Sequence, residues 1–378
     1  MSVVRDPGAL PLVDKTCPTK PGRISRKDSS LVTRGLLRPL ILLALLALIL
    51  PSFVSAQGID VTTVGLVTPA SKTDLGWNQQ ANDGIEAVAE ELDIQAEVQE
   101  NAGYDDITPT LKDLKDDGAQ LIICHASGYQ TICPEFAVAE QVPVAVIENP
   151  KAVVPNLVSD IESQAQEVAY LAGVLAGRTT KTGTVGIVVS GEPPTWNYMT
   201  VGFAEGLKAS NGSAKLLYSV IGEDAYEDSS GAKRVTEQQL AAGADIIFGM
   251  GDGASFGMIE AIRDFNEDHE DAPAQFIDVI GDKHEEYDDV LLTSVLLDFA
   301  PTYEAMIADL ESGTFGKVYT LNLQNSGVKL LELPDDVPQE VKDAVEKAQD
   351  EIIKGKIKVP AVGDAEGVRS TLEELGYR

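Results

Sequence analysis

The sequence predicts an α/β protein with two Rossmann-like lobes, each built on a parallel sheet and joined to the other by several strands that form a hinge. Three observations support this prediction. Short apolar runs alternate with amphipathic helical patterns along most of the chain, and continuous apolar strands are typical of a sheet that is covered on both faces. The alternation comes in two series. A short extended segment, residues 156–160, separates the two series.

The domain boundaries follow from this alternation. Residues 1–56 are predicted to be a leader, and residues 57–160 form the N-terminal lobe, to which a segment around 283–300 returns. Residues 161–282 form the C-terminal lobe, and residues 301–378 supply helices that complete the lobes and a C-terminal tail. A chain of 378 residues is long enough for two such domains.

The leader has the pattern of a secretory signal. Arg34 and Arg38 precede an apolar run at 39–51, and a small-residue cleavage site ends at Ala56. A membrane anchor is the other interpretation, although about a dozen apolar residues are too few to span a bilayer comfortably. Because Cys17 precedes the apolar run, the sequence does not predict the lipid-modified cysteine of a lipoprotein. We therefore expect a cleaved protein that is periplasmic or secreted.

The charge is strongly acidic. The chain has 29 basic and 60 acidic residues, a net charge of −31. Residues 1–56 hold eight of the basic and three of the acidic residues, which leaves 21 basic and 57 acidic residues, a net charge of −36, in the remainder. Such a charge disfavours nucleic acid and anionic membrane surfaces as partners.

Two cysteines, Cys124 and Cys133, follow the leader. In an oxidising compartment they could pair, but nine residues across a strand end and a helix turn do not guarantee the geometry. A disulfide and two inert thiols are therefore equally good interpretations. The three histidines are scattered, and no metal-ligand spacing surrounds the cysteines. The sequence predicts no metal and no cofactor.

The first strand–loop–helix unit, residues 61–92, contains the first candidate binding residues. Its apolar run at 61–67 predicts a buried strand, and apolar residues spaced i, i+3, i+4 and i+7 predict one face of a helix. A parallel sheet binds its ligands beyond the carboxyl ends of its strands, where the intervening loop with Asp74, Trp77 and Asn78 would lie. The Trp77 indole offers a flat surface to a planar ligand, and the Asn78 amide can donate and accept hydrogen bonds. Packing of Trp77 against its own helix is an equally good interpretation.

The remaining elements follow the same alternation. Strands are predicted at 95–100, 120–125, 142–147, 184–189, 215–220, 245–250, 275–280 and 291–297, the last of them crossing between the lobes. Helices are predicted around 107–114, 132–138, 168–175, 199–209, 232–242, 255–265 and 338–354, followed by a final strand at 356–359.

Further candidate residues lie at strand ends, where we expect them to face a crevice between the lobes. Trp196 would provide a second aromatic surface, unless it packs under the two prolines at 193–194. Asp252 lies between a strand and a helix, so that a helix N-cap is an equally good interpretation. Asp282 follows a strand and could accept hydrogen bonds from a ligand. The other candidates are Ser127, Gly128, Tyr129, Glu148, Gly251 and Asp298.

Six motifs follow one another in a distinctive order. They are DLGWNQ (74–79), QEVAYLAGVLAG (166–177), GTVGIVVSGEPP (183–194), GFAEGLKA (202–209), GADIIFGMGDG (243–253) and EIIKGKIKVP (351–360). In this order they resemble the basic membrane protein family of ABC-transporter solute-binding proteins. The resemblance implies the type I periplasmic-binding fold, delivery of a solute to an ABC permease, and purine bases or nucleosides as ligands. The family's nucleoside-binding branch has a ribose-holding Lys where Leu297 stands here, so a ribose contact is not expected at this position.

The sequence as a whole therefore predicts a monomeric solute-binding protein of an ABC importer that holds a small planar ligand, a purine base or nucleoside, between its lobes. No HExxH or P-loop motif occurs, and no recognisable motif combines a nucleophile with a base and an orienting residue, so an enzyme is not expected. Two alternatives are a secreted α/β enzyme that uses crevice carboxylates on nucleosides or sugars, and a ligand-sensing receptor subunit.

Overall fold

The computed structural model describes residues 58–223 and 225–377. The predicted leader at 1–56 lies outside these residues, and its cleavage after Ala56 stays a prediction. Among the described residues, no helix is both long and apolar enough to cross a membrane.

The first sheet consists of six parallel strands. They are β1 (Thr63–Val67), β2 (Gln95–Gln99), β3 (Leu121–Cys124), β4 (Val144–Ile147), β5 (Val158–Ser163) and β11 (Val318–Leu321). Their order across the sheet is β11-β5-β4-β3-β1-β2. The strands β1, β3 and β4 are buried along their whole length. Their unbroken apolar sequences follow from this burial, because helices cover both faces of a parallel sheet.

The second sheet repeats this arrangement. Its strands are β6 (Thr184–Val189), β7 (Lys215–Val220), β8 (Ile246–Met250), β9 (Gln275–Ile280), β10 (Leu291–Leu297) and β12 (Val328–Leu330). Their order is β12-β10-β9-β8-β6-β7, and β12 is antiparallel to β10 while the other pairs are parallel. The two-lobed α/β fold that the sequence predicts is therefore present.

The helices cover the faces of the two sheets. They are α1 (Trp77–Leu92), α2 (Thr108–Asp116), α3 (Ile132–Glu140), α4 (Ala165–Thr179), α5 (Pro194–Ser210), α6 (Ser229–Ala241), α7 (Ser255–Asp268), α8 (His284–Tyr287), α9 (Ala300–Ser312), α10 (Gln339–Ile353) and α11 (Ala365–Glu374). On α1, the predicted apolar face buries Ile85, Val88 and Ala89. Leu92, which the same spacing places on that face, is 38% exposed in the last turn.

The chain crosses between the lobes three times. It crosses from β5 to α4, from β10 to α9, which packs on α1, and from β11 to β12. We expected the segment around 283–300 to return to the first lobe, but β10 pairs with β9 and β12 in the second sheet, and β11 is the strand that returns. The turn at Asp282 joins β9 to β10 within that sheet. An apolar run shows that a strand is buried but not which sheet it joins.

The predicted final strand at 356–359 is another difference. These residues have bent and irregular backbone, with no strand pairing among the described residues. Ile357 and Val359 instead pack, partly buried, against the core cluster that includes α10. Their alternation with lysines therefore reflects packing of an irregular segment and not strand pairing.

The cysteine pair forms a disulfide. It links Cys124, at the end of β3, to Cys133, in the first turn of α3, with Cα atoms 6.7 Å apart. Both residues are completely buried in the core of the first lobe. Of the two interpretations that the spacing allowed, the structure contains the disulfide.

Candidate functional site

The lobes meet at the carboxyl ends of their parallel strands. In the first sheet the strand order reverses between β1 and β3, and in the second between β6 and β8. The loops after these four strands therefore border the crevice where α/β proteins bind ligands. The loop after β1 touches the second lobe, because a Cβ added to Gly281 would lie 2.2 Å from the carbonyl oxygen of Leu75.

Asp74 organises the start of α1. One carboxylate oxygen accepts hydrogen bonds from the backbone N–H groups of Gly76 and Gln79, both at 2.9 Å. The other accepts from the backbone of Asn78 at 3.2 Å and from its side-chain Nδ2 at 2.6 Å. N–H groups at a helix start have no helical carbonyl partner, and a carboxylate can satisfy them. Asp74 thus positions the first helical turn, which carries Trp77 and Asn78.

Trp77 belongs to an aromatic cluster with His125 and Phe299. Its indole stacks on the His125 imidazole, with ring centroids 4.3 Å apart, and meets Phe299 edge-on at 5.6 Å. Trp77 Nε1 donates to the His125 carbonyl at 3.2 Å, and His125 Nε2 donates to the Trp77 carbonyl at 3.0 Å. Burial lowers the pKa of His125 to about 3, so the imidazole is neutral. The cluster therefore fixes the indole with one face covered by a neutral ring.

Asn78 is almost completely buried, at 6% exposure. Its Nδ2 donates to Asp74, as described above, which orients the amide. Its Oδ1 is buried and accepts no hydrogen bond from any described residue. A buried polar atom without a partner is costly, and such atoms in native proteins are often explained by a ligand or a bound water.

Asp252 approaches the same loop from the second lobe. A Cβ added to Gly76 would lie 3.4 Å from Asp252 Oδ1. That oxygen is buried and has no hydrogen-bond partner among the described residues. Burial, reinforced by the charge of Asp74 and opposed by that of Lys283, raises the pKa of Asp252 to about 7. Its backbone is in the left-handed region, with φ of 45°. A carboxyl group with one unpartnered oxygen thus faces the start of α1.

Lys283 supplies the positive charge near Asp252. Its Nζ lies 2.5 Å from Asp278 Oδ2, and the two side chains are 2% and 0% exposed. Asp278 also accepts a hydrogen bond from the Ser255 hydroxyl at 3.2 Å. A buried charge needs such a partner, because an isolated one is strongly destabilising. The neighbouring residue Asp282, which we predicted as a binding residue, is exposed and accepts a hydrogen bond from the His284 N–H at 2.8 Å.

Glu148 joins the two lobes. It follows β4 in the first lobe, and its carboxylate accepts a hydrogen bond from the hydroxyl of Thr195, at the start of α5 in the second lobe. The other carboxylate oxygen accepts from the Ser127 hydroxyl at 3.2 Å. Burial raises the pKa of Glu148. Its φ of 58° is in the left-handed region, which is uncommon for a residue with a side chain.

Two further predicted residues of the first lobe have protein partners. Tyr129 is buried in the core of that lobe, and its hydroxyl donates to the Gly103 carbonyl at 2.6 Å. Gly128 is exposed but lies under Tyr104, since an added Cβ would be 2.6 Å from that ring. The site role that we predicted for both residues stays a prediction.

Three predicted residues of the second lobe also contact other groups of the protein. Trp196 is 4% exposed and meets the ring of Tyr226, with ring centroids 5.2 Å apart, so the indole packs within the protein, against Tyr226. Gly251 accepts a hydrogen bond from Ser190 Oγ at 3.4 Å. Asp298 forms an ion pair with Lys329 at 2.9 Å and accepts from the Ala300 N–H at 3.1 Å.

Four residues at the lobe junction were not among our predicted binding residues. They are His125, Thr195, Lys283 and Phe299. Each of them lies next to a position that the sequence pattern had marked. His125 directly follows β3, and the other three are sequence neighbours of the predicted residues Trp196, Asp282 and Asp298. The ends of predicted strands show, to within one or two residues, which part of the chain borders the crevice. They do not show which side chain points into it, because that depends on the local turn.

Sequence comparison identifies the protein family. The chain matches the Bmp family, described as ABC transporter substrate-binding protein PnrA-like, over residues 61–362. The chain belongs to this family. It is 24% identical over 308 residues to basic membrane protein A1 of Borrelia garinii subsp. bavariensis, which covers 80% of this chain and 89% of that protein. It is 25% identical over 328 residues to the ABC transporter nucleoside-binding protein BmpA of Lactococcus lactis subsp. cremoris, covering 78% and 88%.

The fold of this Bmp-family protein is also found among solved structures. A solute-binding protein of an ABC transporter system from Aeropyrum pernix K1 superposes with a TM-score of 0.70 at 20% identity, covering 84% of this chain and 97% of that one. ABC-transporter substrate-binding proteins are not enzymes; they act outside the cytoplasm, bind small molecules and work with a permease. The predicted family, fold class and absence of enzymatic activity are thereby confirmed.

Proposed function

We propose that this protein binds a planar, purine-like solute, a base or a nucleoside, in the crevice between its lobes and delivers it to an ABC permease as a monomer. The observation that carries the proposal is a pair of buried oxygens without partners, Asn78 Oδ1 and Asp252 Oδ1. Asn78 belongs to the first turn of α1, and Asp252 faces the loop before it from the other lobe.

Asn78 Oδ1 is a hydrogen-bond acceptor, and so is Asp252 Oδ1 while its carboxyl group is ionised, so a ligand that satisfies both supplies N–H or O–H donors. Purine bases carry such donors on exocyclic amino groups and ring nitrogens. Besides burial, the charges of Asp74 and Glu227 raise the pKa of Asp252 against the opposing charge of Lys283, so the surroundings are on balance acidic and disfavour an anionic ligand. The predicted ligand is therefore neutral or cationic and rich in donors.

The aromatic cluster supplies the stacking surface. His125 covers one face of the Trp77 indole, so a planar ligand would use the other face. Stacking of a base on an aromatic side chain contributes about 1–3 kcal/mol. Trp196 is buried against Tyr226, so we assign the main stacking role to Trp77.

A free base should bind at least as well as its nucleoside. The family's nucleoside-binding branch has a ribose-holding Lys where this chain has Leu297, and Leu297 is 1% exposed within β10. The name of the Lactococcus lactis relative, a nucleoside-binding protein, supports a ligand of the same chemical class. Export through the predicted leader, with cleavage after Ala56, is part of the same proposal.

Calorimetry with adenine, guanine, adenosine and guanosine tests the proposal, with ribose as the non-planar comparison. We expect each base to bind at least as tightly as its nucleoside, and ribose to bind far more weakly. A clear preference for nucleosides would reject the base assignment. Tight binding of ribose without binding of any purine would reject the planar ligand altogether.

A matched pair of variants tests the role of Asp252. Asp252→Asn keeps the shape but removes the charge, and should weaken binding by roughly tenfold to a hundredfold above the pKa of about 7, since hydrogen bonds to charged groups contribute about 1.5–3 kcal/mol. Asp271→Asn removes one charge from an exposed loop and should leave the affinity unchanged. Equal affinities of the two variants would contradict the assignment.

A further inference from the structure

The strand β5, which leads into the first crossing, carries an acidic pair. Asp160 and Glu162 are two residues apart, so their side chains project from the same face of the strand. Asp160 is completely buried, and its Oδ1 accepts a hydrogen bond from the Asn149 N–H at 2.6 Å. The other oxygen of Asp160, Oδ2, is buried and accepts no hydrogen bond from the groups that the structure describes. Glu162 is the carboxyl group on the same face of the strand, and it can donate to that oxygen only while it keeps its own proton.

The pair lies beside the contact that joins the lobes. Glu148, after the neighbouring strand β4, accepts the hydrogen bond from Thr195 of the second lobe. Ser163, next to Glu162, has its Oγ 3.5 Å from the same Thr195 hydroxyl. Residues of β5 and of the turn after β4 thus meet the start of α5 at one point.

The groups around Glu162 are acidic. Burial, followed by the charges of Asp160 and Glu148, raises the pKa of Glu162 to about 7. Burial also raises the pKa of Asp160 and of Glu148. From α5, Tyr198 faces the same groups, and burial followed by the charges of Glu162 and Glu148 raises its pKa. On β11, the residue opposite Glu162 is the uncharged Thr320.

We propose that Glu148, Asp160 and Glu162 form a proton-controlled latch, which holds the lobes together while Glu162 is protonated and favours the open form once that proton is lost. Loss of the proton removes the donor that Glu162 can offer to Asp160. It also places an additional negative charge beside Glu148 and Asp160 where the lobes meet. Separation of the lobes would let water reach these carboxylates and relieve their repulsion.

The direction of the pH effect follows from linkage. In the closed form the pKa of Glu162 is raised to about 7, whereas in an open, solvated form it would return towards its ordinary value. The closed form therefore binds the proton more tightly. Its stability relative to the open form increases as the pH falls through about 7 and reaches its full value below the ordinary pKa of a glutamate.

Small-angle scattering of the ligand-free protein tests the latch independently of what the ligand is. We expect the radius of gyration to decrease when the pH is lowered from about 8 to about 5.5. Glu162→Gln is permanently neutral and should stay compact at both pH values. Glu267→Gln, an exposed change on α7, should respond like the wild type.

A second variant tests the contact itself. Thr195→Val removes the hydroxyl that donates to Glu148 while keeping the side-chain shape, and should leave the protein expanded at both pH values. A wild-type radius that does not change with pH would overturn the proposal. A Glu162→Gln protein that expands with the wild type, or a Thr195→Val protein that closes with it, would overturn it as well. Because no ligand is present, these outcomes do not depend on the purine proposal.

Discussion

The indole of Trp77 is fixed before any ligand arrives. Its Nε1 is bonded to the His125 carbonyl, one face stacks on the imidazole, and its edge meets Phe299. A side chain that is already ordered loses little conformational entropy on binding. Because the cluster holds the indole in place, Trp77 is suited to be a rigid stacking surface for a planar ligand.

Trp77→Ala should weaken purine binding by about 1–3 kcal/mol, roughly tenfold to a hundredfold, because it removes the stacking surface. Trp77→Phe keeps an aromatic ring and should lose much less affinity. Calorimetry measures both. Since Trp77 also packs on His125, the thermal unfolding of each ligand-free variant should be recorded, so that only folded protein is titrated. Wild-type affinity in Trp77→Ala would show that the indole is a packing residue.

At the scale of the elements, α4 and α5 cross with their backbones in close contact. A Cβ added to Gly173 of α4 would lie 2.1 Å from the Phe203 carbonyl oxygen, and one added to Gly206 of α5 would lie 2.0 Å from that of Tyr170. Glycine lets two helices approach in this way because no side chain separates them. Since α4 directly follows the first crossing, this packing ties the crossing to the second lobe.

Gly206→Ala should destabilise the protein by at least about 1–3 kcal/mol, the usual effect of overpacking, because the new methyl group meets backbone that cannot move aside. Gly212→Ala is the matched control, since its nearest neighbour, the Lys208 carbonyl oxygen, lies 3.7 Å from the added Cβ. Urea unfolding of both variants gives the comparison. Equal unfolding midpoints would contradict the close packing of α4 and α5.

At the scale of the whole molecule, two similar lobes are joined by three crossings, and the candidate ligand contacts come from both lobes. Asn78 belongs to the first lobe and Asp252 to the second, so one ligand can satisfy both only when the lobes are together. Ligand binding and lobe closure should therefore be coupled.

A saturating purine should decrease the radius of gyration measured by small-angle scattering. The effect should be largest at about pH 8, where the proposed latch favours the open form of the ligand-free protein. Ribose at the same concentration is the control and should leave the radius unchanged. An unchanged radius with a purine whose saturation has been verified by calorimetry would argue against hinge closure.

The sequence by itself determined the alternation of strands and helices, the two-lobed α/β class and the family resemblance. Strand β10 was predicted with its observed bounds, 291–297, and the loop after β1, which leads into Trp77 and Asn78, was placed where the lobes meet. These features could be predicted because burial on both faces leaves unbroken apolar runs, and because carboxyl ends of parallel strands share one edge of a sheet.

The tertiary structure alone decided which sheet β10 joins, that Trp196 is buried against Tyr226, and that Lys283 is buried while its neighbour Asp282 is exposed. It also brought Glu148 to Thr195 across the lobes. The physical reason is that each of these outcomes depends on contacts between residues far apart in the chain, or on the turn that directs a side chain. A local pattern records how deeply a residue is buried, but not against which partner.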